Sequence, residues 1–387
     1  MLRLYDTRRR AVFPFRPRGR VVTMYVCGVT PYDTTHLGHA RTFLVFDVLA
    51  RLLEARGLEV RYAQNVTDID ESILRRADRD GVGWRELGRR EERAFLQDMR
   101  RLRWRRPDLM PHATREIPQM QRMIRTLLGT GAAYRIDGSV YFSAEKARAY
   151  GELSRLGPRA MAKILASQDD AALDLPGRRD PRDFALWRAV PSGPTWPSPY
   201  GRGRPGWHIE CSAMSLHHLG EQIDIHGGGA DLVYPHHENE IAQSEAATGK
   251  RPFVRWWMHV APVRLDAKKM SKSDRNMVFV RDALGRASPE AVRLYLLDRQ
   301  YRRPFDHDEA WLARCAERQR RLEDRLGRGP LGPIGRDAAT RAVIAALDDD
   351  LDTAGAIRAL ERVSRTADDH AKASLRWIAH QVLGIVR

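Results

Sequence analysis

The amino-acid sequence predicts an α/β protein, with a Rossmann-like parallel sheet that is interrupted by an insertion and followed by a C-terminal α-helical bundle. The β-branched and apolar run Val21–Cys27 is typical of a buried strand, and residues 40–57 carry apolar side chains at helical spacing. Residues 58–70 begin as a second strand, and the right-handed crossover of a strand–helix–strand unit implies parallel strands. Beyond Ser288 the apolar spacing is helical.

The same patterns divide the chain into four segments. Residues 161–199 are rich in Asp, Arg and Pro and are predicted to be irregular. A strand pattern returns at 223–235, and a helix is predicted to begin near His236. The predicted segments are 1–115 for the first half of the Rossmann domain, 116–200 for the insertion, 201–287 for the second half and 288–387 for the helical domain.

Composition favours a cytoplasmic protein with a phosphate-bearing partner. The N-terminus lacks the apolar core of a signal peptide, and no apolar run is long enough to span a membrane. Lys and Arg number 66 against 50 Asp and Glu, and the net charge of +16 attracts phosphates, nucleic acid among them. A compositional bias towards arginine would give the same excess. The three cysteines are too few for a disulfide framework, so reduced thiols are expected.

Two histidines follow the first predicted strand in the sequence His36-Leu37-Gly38-His39. They lie where a strand gives way to a helix, which is the usual ligand-binding edge of a parallel sheet. We expect Gly38 to let the backbone approach a ligand, and the helix N-terminus to offer unpaired N–H groups to a phosphate. The imidazoles are donors that can stabilise charge developing on a transferred phosphate. A histidine pair alone also fits a structural role.

A second motif, Lys269-Met270-Ser271-Lys272-Ser273, follows about 230 residues later. Two lysines among small residues suit a segment that closes over a pyrophosphate leaving group, although a solvated basic loop has the same composition. The two motifs together, within an α/β pattern, resemble the paired signature of the class I aminoacyl-tRNA synthetases. Their third nucleotide-contacting segment corresponds to Gly227-Gly228-Gly229, a triplet that would also suit a turn.

Thiol, imidazole and carboxylate side chains suggest a metal site. His236 and Glu240 are four residues apart, so on a helix they face one direction and can share a ligand, although His237 and Glu238 compete for the assignment. Two thiolates, an imidazole and a carboxylate suit zinc, whereas an intracellular cysteine is often just a small buried hydrophobe. The candidate ligands are Cys27, Cys211, His236 and Glu240.

The sequence is similar to the cysteinyl-tRNA synthetases over roughly residues 1–300, and more loosely over the helical tail. The similarity lies in "YVCG", "HLGHARTFLVFDVL", "QNVTDIDE", "RPGWHIECSAM", "DIHGGGADLVYPHHENEIAQSEAATG" and "KKMSKSDRN". It implies one zinc ion per chain on the four candidate ligands, where the metal binds the thiolate of substrate L-cysteine and excludes serine. It also implies that the cysteine is contacted by Thr67, Trp207 and Asp231.

The resemblance implies a two-step reaction in which cysteine and ATP, accompanied by magnesium, give cysteinyl-adenylate before an acceptor displaces AMP. The expected catalytic residues, which stabilise phosphate charge, are His36, His39, Lys269 and Lys272. The expected ATP contacts are Thr30, His36, Gly38, His39, Gly227, Gly228, Gly229, Lys269, Lys272 and Ser273.

The resemblance implies tRNA(Cys) as the preferred acceptor and a monomeric protein. It also implies a short form, because the sequence ends at Arg387, where typical members of the family continue into an anticodon-binding region. The alternative acceptor is the amine of glucosaminyl-inositol, used by the related cysteine ligases of mycothiol biosynthesis. Segments that favour this alternative are "GVTPYDTTHLGHA", "WPSPYGRGRPGWH" and "LDAKKMSKSDRNMVFV". The tRNA acceptor is favoured by the positive charge and by "HENEIAQSEA" and "DIDESILRRA". A non-catalytic RNA-binding relative would not need these motifs.

Overall fold

The fold is given by a computed structural model that describes residues 1–33, 35–168, 177–270 and 276–387. Its strands are β1 Arg3–Asp6, β2 Ala11–Pro14, β3 Val21–Val29, β4 Glu59–Val66, β5 Ala133–Ile136, β6 Ser139–Phe142, β7 Phe184–Arg188, β8 Arg204–Pro205, β9 Ile223–Gly229, β10 Val254–Val260, β11 Val263–Leu265, β12 Lys268–Lys269 and β13 Phe305–Asp306. Its α-helices are α1 Leu37–Glu54, α2 Glu71–Asp80, α3 Trp84–Arg101, α4 Ile117–Gly129, α5 Pro158–Ala166, α6 Trp207–Leu219, α7 Glu238–Thr248, α8 Val280–Leu284, α9 Pro289–Leu297, α10 Glu309–Leu326, α11 Ala338–Asp348, α12 Thr353–Val363 and α13 Asp369–Trp377.

The central sheet has the strand order β10-β9-β3-β4, and all of these strands are parallel. The crossover from β3 through α1 to β4 is the predicted strand–helix–strand unit, and the α/β fold class is confirmed. Strand β9 returns on the other side of β3, with Val26 opposite Gly227. The carboxyl ends of β3, β4 and β9 therefore meet at one edge of the sheet, where the polar segments that follow them converge.

The region between the two halves of this sheet contains an antiparallel sheet in the order β5-β6-β7-β8. The prediction that residues 161–199 are irregular is wrong at β7 and at the end of α5. Four consecutive buried apolar residues, Phe184 to Trp187, form most of β7. The charged residues on both sides of them dominate the composition of residues 161–199, which is why the sequence did not indicate this strand. Because β8 pairs with β7, the antiparallel sheet extends to Pro205, past the predicted boundary at 200.

The helical segment packs directly on the central sheet through α1, and the two share a continuous hydrophobic core. Its helices begin at short polar side chains that accept hydrogen bonds from backbone N–H groups of the first turn, as N-caps do. These caps are Ser288, Asp308, Asp337, Asp352 and Asp368. Within the described part of the chain, no helix combines the length and the apolar character needed to cross a membrane.

A buried ion pair joins α1 to the helical segment. The Asp47 carboxylate accepts hydrogen bonds from Arg293 of α9, from Arg51 Nε at 2.8 Å and from the Arg105 backbone N–H at 2.6 Å. Arg293 also donates to the Leu102 carbonyl at 3.1 Å. The side chains of Asp47 and Arg293 are both 0% exposed, so the Arg293 guanidinium would be left as an uncompensated buried charge without Asp47.

The variant Asp47→Ala should therefore have a free energy of unfolding about 3–5 kcal/mol lower, because it leaves the buried guanidinium of Arg293 without its carboxylate partner. Urea denaturation followed by circular dichroism measures the loss. The control variant is Glu317→Ala, whose partner Arg321 lies 3.7 Å away on the exposed face of α10, and which should lose no more than about 1 kcal/mol. Equal losses in the two variants would contradict the assignment of Asp47 as a structural anchor.

Candidate active site

A cavity of about 410 Å³ opens at the carboxyl ends of β3, β4 and β9, between the start of α1 and the start of α6. The residues predicted for the site that line this cavity are Cys27, Thr30, His36, Gly38, His39, Thr67, Trp207, Cys211, Gly229, Asp231 and His236. Two thiols and an imidazole are thus in the same cavity as the two histidines of the first motif. Residues far apart in the sequence share this edge because the parallel sheet aligns its strand ends.

The four candidate metal ligands converge at one wall of the cavity, where their ligand atoms all lie within 4.8 Å of one another. The sulfur of Cys27, in β3, lies 3.7 Å from the sulfur of Cys211, in α6, and 3.4 Å from Oε1 of Glu240, in α7. Nε2 of His236 lies 3.2 Å from the same carboxylate oxygen. A helix is found near His236 as predicted: a π-helical turn, Val233–His237, leads into α7 at Glu238 and brings the imidazole to Glu240.

Glu238 and His237, the two residues that compete with Glu240 and His236 as candidate ligands, differ in their surroundings. The carboxylate of Glu238 accepts backbone hydrogen bonds from Gly151 at 2.9 Å and Ser154 at 2.8 Å, so its geometry serves the fold. His237 lies close, with Nε2 3.3 Å from the sulfur of Cys27. Sequence reasoning missed His226, whose Nε2 lies 3.5 Å from Oε2 of Glu240. A second possible ligand set is therefore Cys27, His226, His237 and Glu240.

Cys27, Cys211 and His236 line the cavity, whereas Glu240, which both sets share, and His226 and His237 do not contribute to its described lining. A metal that must bind a substrate thiolate needs a coordination position open to the cavity. Nδ1 of His236 lies 3.0 Å from Nδ1 of His208, which leaves Nε2 of His236 directed towards Glu240. The geometry therefore favours Cys27, Cys211, His236 and Glu240 as the set that can serve a substrate.

The chemistry of this set fits a bound cation. Burial raises the pKa of Glu240, and burial together with the neighbouring Cys211 raises the pKa of the Cys27 thiol. Burial also lowers the pKa of His236. Oε2 of Glu240 is buried without a hydrogen-bond partner among the described residues. A divalent cation would supply the positive charge that lets the thiols and the carboxylate ionise, so the residues fit zinc.

His36 has a structural role that the sequence did not reveal. Its Nδ1 accepts hydrogen bonds from the backbone N–H groups of Gly38 at 3.1 Å and His39 at 3.3 Å, so it is the N-cap of α1. The N–H groups of Leu37 and Ala40 donate to the carbonyls of Val278 and His36. The expectation that these N–H groups are available to a phosphate is therefore wrong in this structure.

The capping geometry assigns the protons of this motif. Since Nδ1 of His36 accepts, a neutral ring carries its proton on Nε2, which can be donated to a phosphate. The rings of His36 and His39 are stacked with centroids 3.7 Å apart. A Cβ atom on Gly38 would lie 2.9 Å from Nδ1 of His36, so glycine is required for the ring to fold back over the helix. The close approach of the His36 ring to the backbone of residue 38 thus explains why a glycine is found there.

The described residues on either side of the second motif lie close to the first motif. Lys269 is in β12 and pairs with Arg264 of β11, and Met270 lines the cavity. Lys272 and Ser273 lie outside the described residues. After the motif, the Val278 carbonyl accepts from the Leu37 N–H at 2.9 Å, and the Val280 N–H donates to the Thr35 carbonyl at 2.8 Å. The backbone leaving the motif is therefore hydrogen-bonded to the start of α1.

The three glycines of the triplet have different surroundings: some are packed inside the fold, and one lines the cavity. Gly227 and Gly228 lie within β9, and a Cβ atom on Gly227 would lie 2.2 Å from the Met258 carbonyl oxygen and 2.4 Å from the Phe46 ring. Gly229 lines the cavity beside Asp231. Close packing between β9, β10 and α1 thus requires Gly227, whereas Gly229 is the member of the triplet that lines the cavity.

The residues predicted to bind cysteine flank the metal cluster. The Trp207 ring stacks on His236 with centroids 4.3 Å apart. Thr67 follows β4, and its hydroxyl accepts from Nδ2 of Asn65 at 3.0 Å. The Asn65 Oδ1 accepts from the Gly28 N–H at 2.8 Å. Asn65 therefore holds Thr67 against β3, a role that sequence reasoning missed although it noted the surrounding "QNVTDIDE".

Comparison with known proteins gives consistent matches. The family model for the "tRNA synthetases class I (C) catalytic domain" matches residues 15–317. A Rhodococcus jostii protein named "L-cysteine:1D-myo-inositol 2-amino-2-deoxy-alpha-D-glucopyranoside ligase" is 44% identical over 375 residues, covering 95% of this chain and 89% of that protein. A Stutzerimonas stutzeri protein named "Cysteine--tRNA ligase" is 44% identical over 379 residues, covering 97% and 81%.

Solved structures agree on the fold. Methionyl-tRNA synthetase of Mycobacterium tuberculosis, bound by methionyl-adenylate, superposes with a TM-score of 0.64 at 16% sequence identity. The superposition covers 95% of this chain and 89% of that one. At this identity the likeness concerns the arrangement of the chain.

We expect the variant Cys27→Ser to bind zinc at this cluster much more weakly than the unsubstituted chain, because a hydroxyl is a much poorer ligand for zinc than a thiolate. The measurement is cobalt substitution, since cobalt bound to thiolates has sulfur-to-metal charge-transfer absorption. Cys315→Ser is the matched control, because Cys315 is also buried but lies in α10, outside the cluster. Charge-transfer absorption that survives in Cys27→Ser would exclude Cys27 as a ligand.

Proposed function

Because the chain belongs to the tRNA synthetase class I (C) family, we propose that it is a zinc-dependent ligase that activates L-cysteine with ATP and transfers it to tRNA(Cys). The observation that supports this most is the shared cavity: the thiol–imidazole–carboxylate cluster forms one wall, and His36 and His39 lie at the start of α1. A cysteine whose thiol lies at the cluster would have room to extend its carboxylate towards a nucleotide beside the histidines.

Selection of cysteine follows from the donor set. Cys27, Cys211, His236 and Glu240 would hold the zinc, which supplies a soft Lewis acid that prefers a thiolate to the hydroxyl of serine. Trp207 orients His236 by stacking, and Asn65 holds the Thr67 hydroxyl at the cavity wall. Pocket shape alone would discriminate weakly between cysteine and serine, since the two side chains are nearly the same size.

Activation needs little proton transfer from the protein. A cysteine carboxylate oxygen attacks the α-phosphorus of ATP, a new P–O bond forms, and the bond to the bridging oxygen breaks as pyrophosphate leaves with its electron pair. His36 donates from Nε2 to the phosphate, because its Nδ1 is occupied as the cap of α1. His39 stacks on His36, and Lys269 and Lys272 complete the set of charged donors in this proposal.

The acceptor then attacks the carbonyl carbon of the adenylate, and AMP leaves. Positive charge beside the cavity supports a polyanionic acceptor: Ser72 of α2 lines the cavity, and Tyr32 packs on residues of α2 and α3. On these helices the exposed carboxylates are Asp78, Asp80 and Glu86, whereas the exposed arginines are Arg75, Arg79, Arg85, Arg89, Arg90, Arg93, Arg100 and Arg101. This basic face suits the phosphate backbone of a tRNA.

The second candidate acceptor is an amino-sugar amine. It is supported by the relative named as a ligase of cysteine and an inositol aminoglucoside, which is as similar to this chain, at 44% identity, as the relative named cysteine–tRNA ligase. The segment "GVTPYDTTHLGHA" contributes Thr30 and Tyr32 to the cavity lining. Transfer to an amine forms an amide and transfer to a tRNA hydroxyl forms an ester, and in both cases the nucleophile loses a proton as AMP leaves.

Purified protein loaded with zinc should catalyse ATP–pyrophosphate exchange that depends on cysteine and not on serine. Release of AMP should then be stimulated by tRNA(Cys), and weakened by added salt because phosphate contacts are screened. Absence of cysteine-dependent exchange would overturn the proposed activation. Exchange with AMP release stimulated by glucosaminyl-inositol alone would retain the activation and replace the acceptor.

The variant Gly38→Ala should slow pyrophosphate exchange by about 10²-fold, because the new methyl group displaces the His36 ring from its cap and misplaces its donor. The matched control is Gly129→Ala at the end of α4, where a Cβ atom meets no other atom within 4 Å. Circular dichroism checks that both variants are folded. An exchange rate equal to that of the control would show that the capped ring position is not needed for activation.

A further inference from the structure

A second cluster of metal-binding side chains lies on the surface, where α4 begins and α6 ends. Nδ1 of His217 lies 3.0 Å from Oε2 of Glu116, and Nε2 of His218 lies 3.0 Å from Oε1 of the same carboxylate. The three ligand atoms all lie within 4.8 Å of one another. We propose that Glu116, His217 and His218 form a second, peripheral site for a divalent transition-metal ion such as zinc.

The distances suit ligands of one ion. Zinc bonds to imidazole nitrogen and carboxylate oxygen are about 2.1 Å long, so two ligands at angles of 90–110° are about 3.0–3.4 Å apart. Adjacent residues on a helix point in different directions. His217 and His218 nevertheless reach one carboxylate, because one ring presents Nδ1 and the other presents Nε2. The two ring centroids are 4.5 Å apart.

The electrostatic surroundings favour a cation. His217 and His218 lie in the last turn of α6, where the helix dipole carries partial negative charge. The ion pairs that Glu116 makes within the described chain are those with these two histidines. Two imidazoles suit zinc, nickel or cobalt, and a carboxylate lowers the charge of the occupied site to +1.

Exposure gives the ion an entry path. The side chain of Glu116 is 12% exposed, whereas those of His217 and His218 are 44% and 22% exposed. Three protein ligands leave a further coordination position for water. Nε2 of Gln119 lies 3.4 Å from Nε2 of His217, so an amide neighbours the ring nitrogen that faces away from the carboxylate.

Occupation of this site would brace the insertion against the catalytic region. Glu116 directly precedes α4, and α6 carries Trp207 and Cys211 of the cavity at its other end. An ion bound by both helices stabilises the folded state in proportion to its binding, because the unfolded chain does not hold the three ligands together. The inference concerns a site separate from the cavity and does not depend on the reaction catalysed there.

Equilibrium dialysis of the untagged chain against micromolar zinc, followed by metal analysis, tests the proposal. Wild type should bind two zinc ions per chain, and His217→Ala/His218→Ala should bind one. His370→Ala is the matched control, since His370 is an exposed histidine in α13 outside the cluster, and it should bind two. Glu116→Gln, which keeps the side-chain shape, should weaken the second equivalent at least about tenfold.

Cobalt separates the two sites by their donors. The second cobalt equivalent should add ligand-field absorption without sulfur charge-transfer absorption, and it should be absent from the double histidine variant. A wild-type chain that binds a single zinc ion, or a double variant that still binds two, would refute the peripheral site. Pyrophosphate exchange should be unchanged in the double variant. Failure of exchange in wild type with two bound ions would overturn the proposed function alone.

Discussion

Helix α1 is the element on which the rest of the structure depends, because two charged side chains buried along it bind the helical segment, the backbone after α3 and the segment before β11. Asp47 accepts from Arg293 of the helical segment and from the backbone of Arg105 after α3. Arg41, one turn from the motif histidines, donates to the carbonyls of Ala261 at 2.7 Å and Arg303 at 2.9 Å. The start of α1, where His36 caps the helix, is therefore held by charges buried further along it.

Arg41 has an unusual set of partners. Burial lowers the pKa of its guanidinium to about 10, so it remains charged at neutral pH. Its two terminal nitrogens donate to carbonyl oxygens, and the face of the Phe305 ring lies 4.8 Å from its central carbon. Its Nε is buried without a hydrogen-bond partner among the described residues. Ala261 directly precedes β11, and β11 pairs with β12, which contains Lys269. Arg41 thus joins α1 to the backbone that leads into β11, in addition to the hydrogen bonds that Leu37 and Thr35 make with Val278 and Val280.

Much of the fold and the cavity could be predicted because the necessary patterns are local. The spacing of apolar residues that predicts β3, α1 and β4 can be seen within each short segment of the sequence. Cys27 and Gly38 likewise lie in short, recognisable segments. His226 and Asn65 could not be predicted, because nothing in their own segments indicates which strand they will face. The cap made by His36 could not be predicted for a related reason. A histidine before a helix looks the same in the sequence whether its ring accepts backbone hydrogen bonds or binds a phosphate.

Helix α6 illustrates how burial decides what the same kinds of side chain can do. Cys211 near its start is 1% exposed, in a cluster where burial raises the pKa of the Glu240 carboxyl and of both thiols, so a bound cation would favour their ionised forms. His217 at its end is 44% exposed and contacts the Glu116 carboxylate, so its imidazole has a partner without an ion. The buried cluster is consequently suited to a resident metal that meets a substrate, and the exposed cluster to an ion that exchanges with its surroundings.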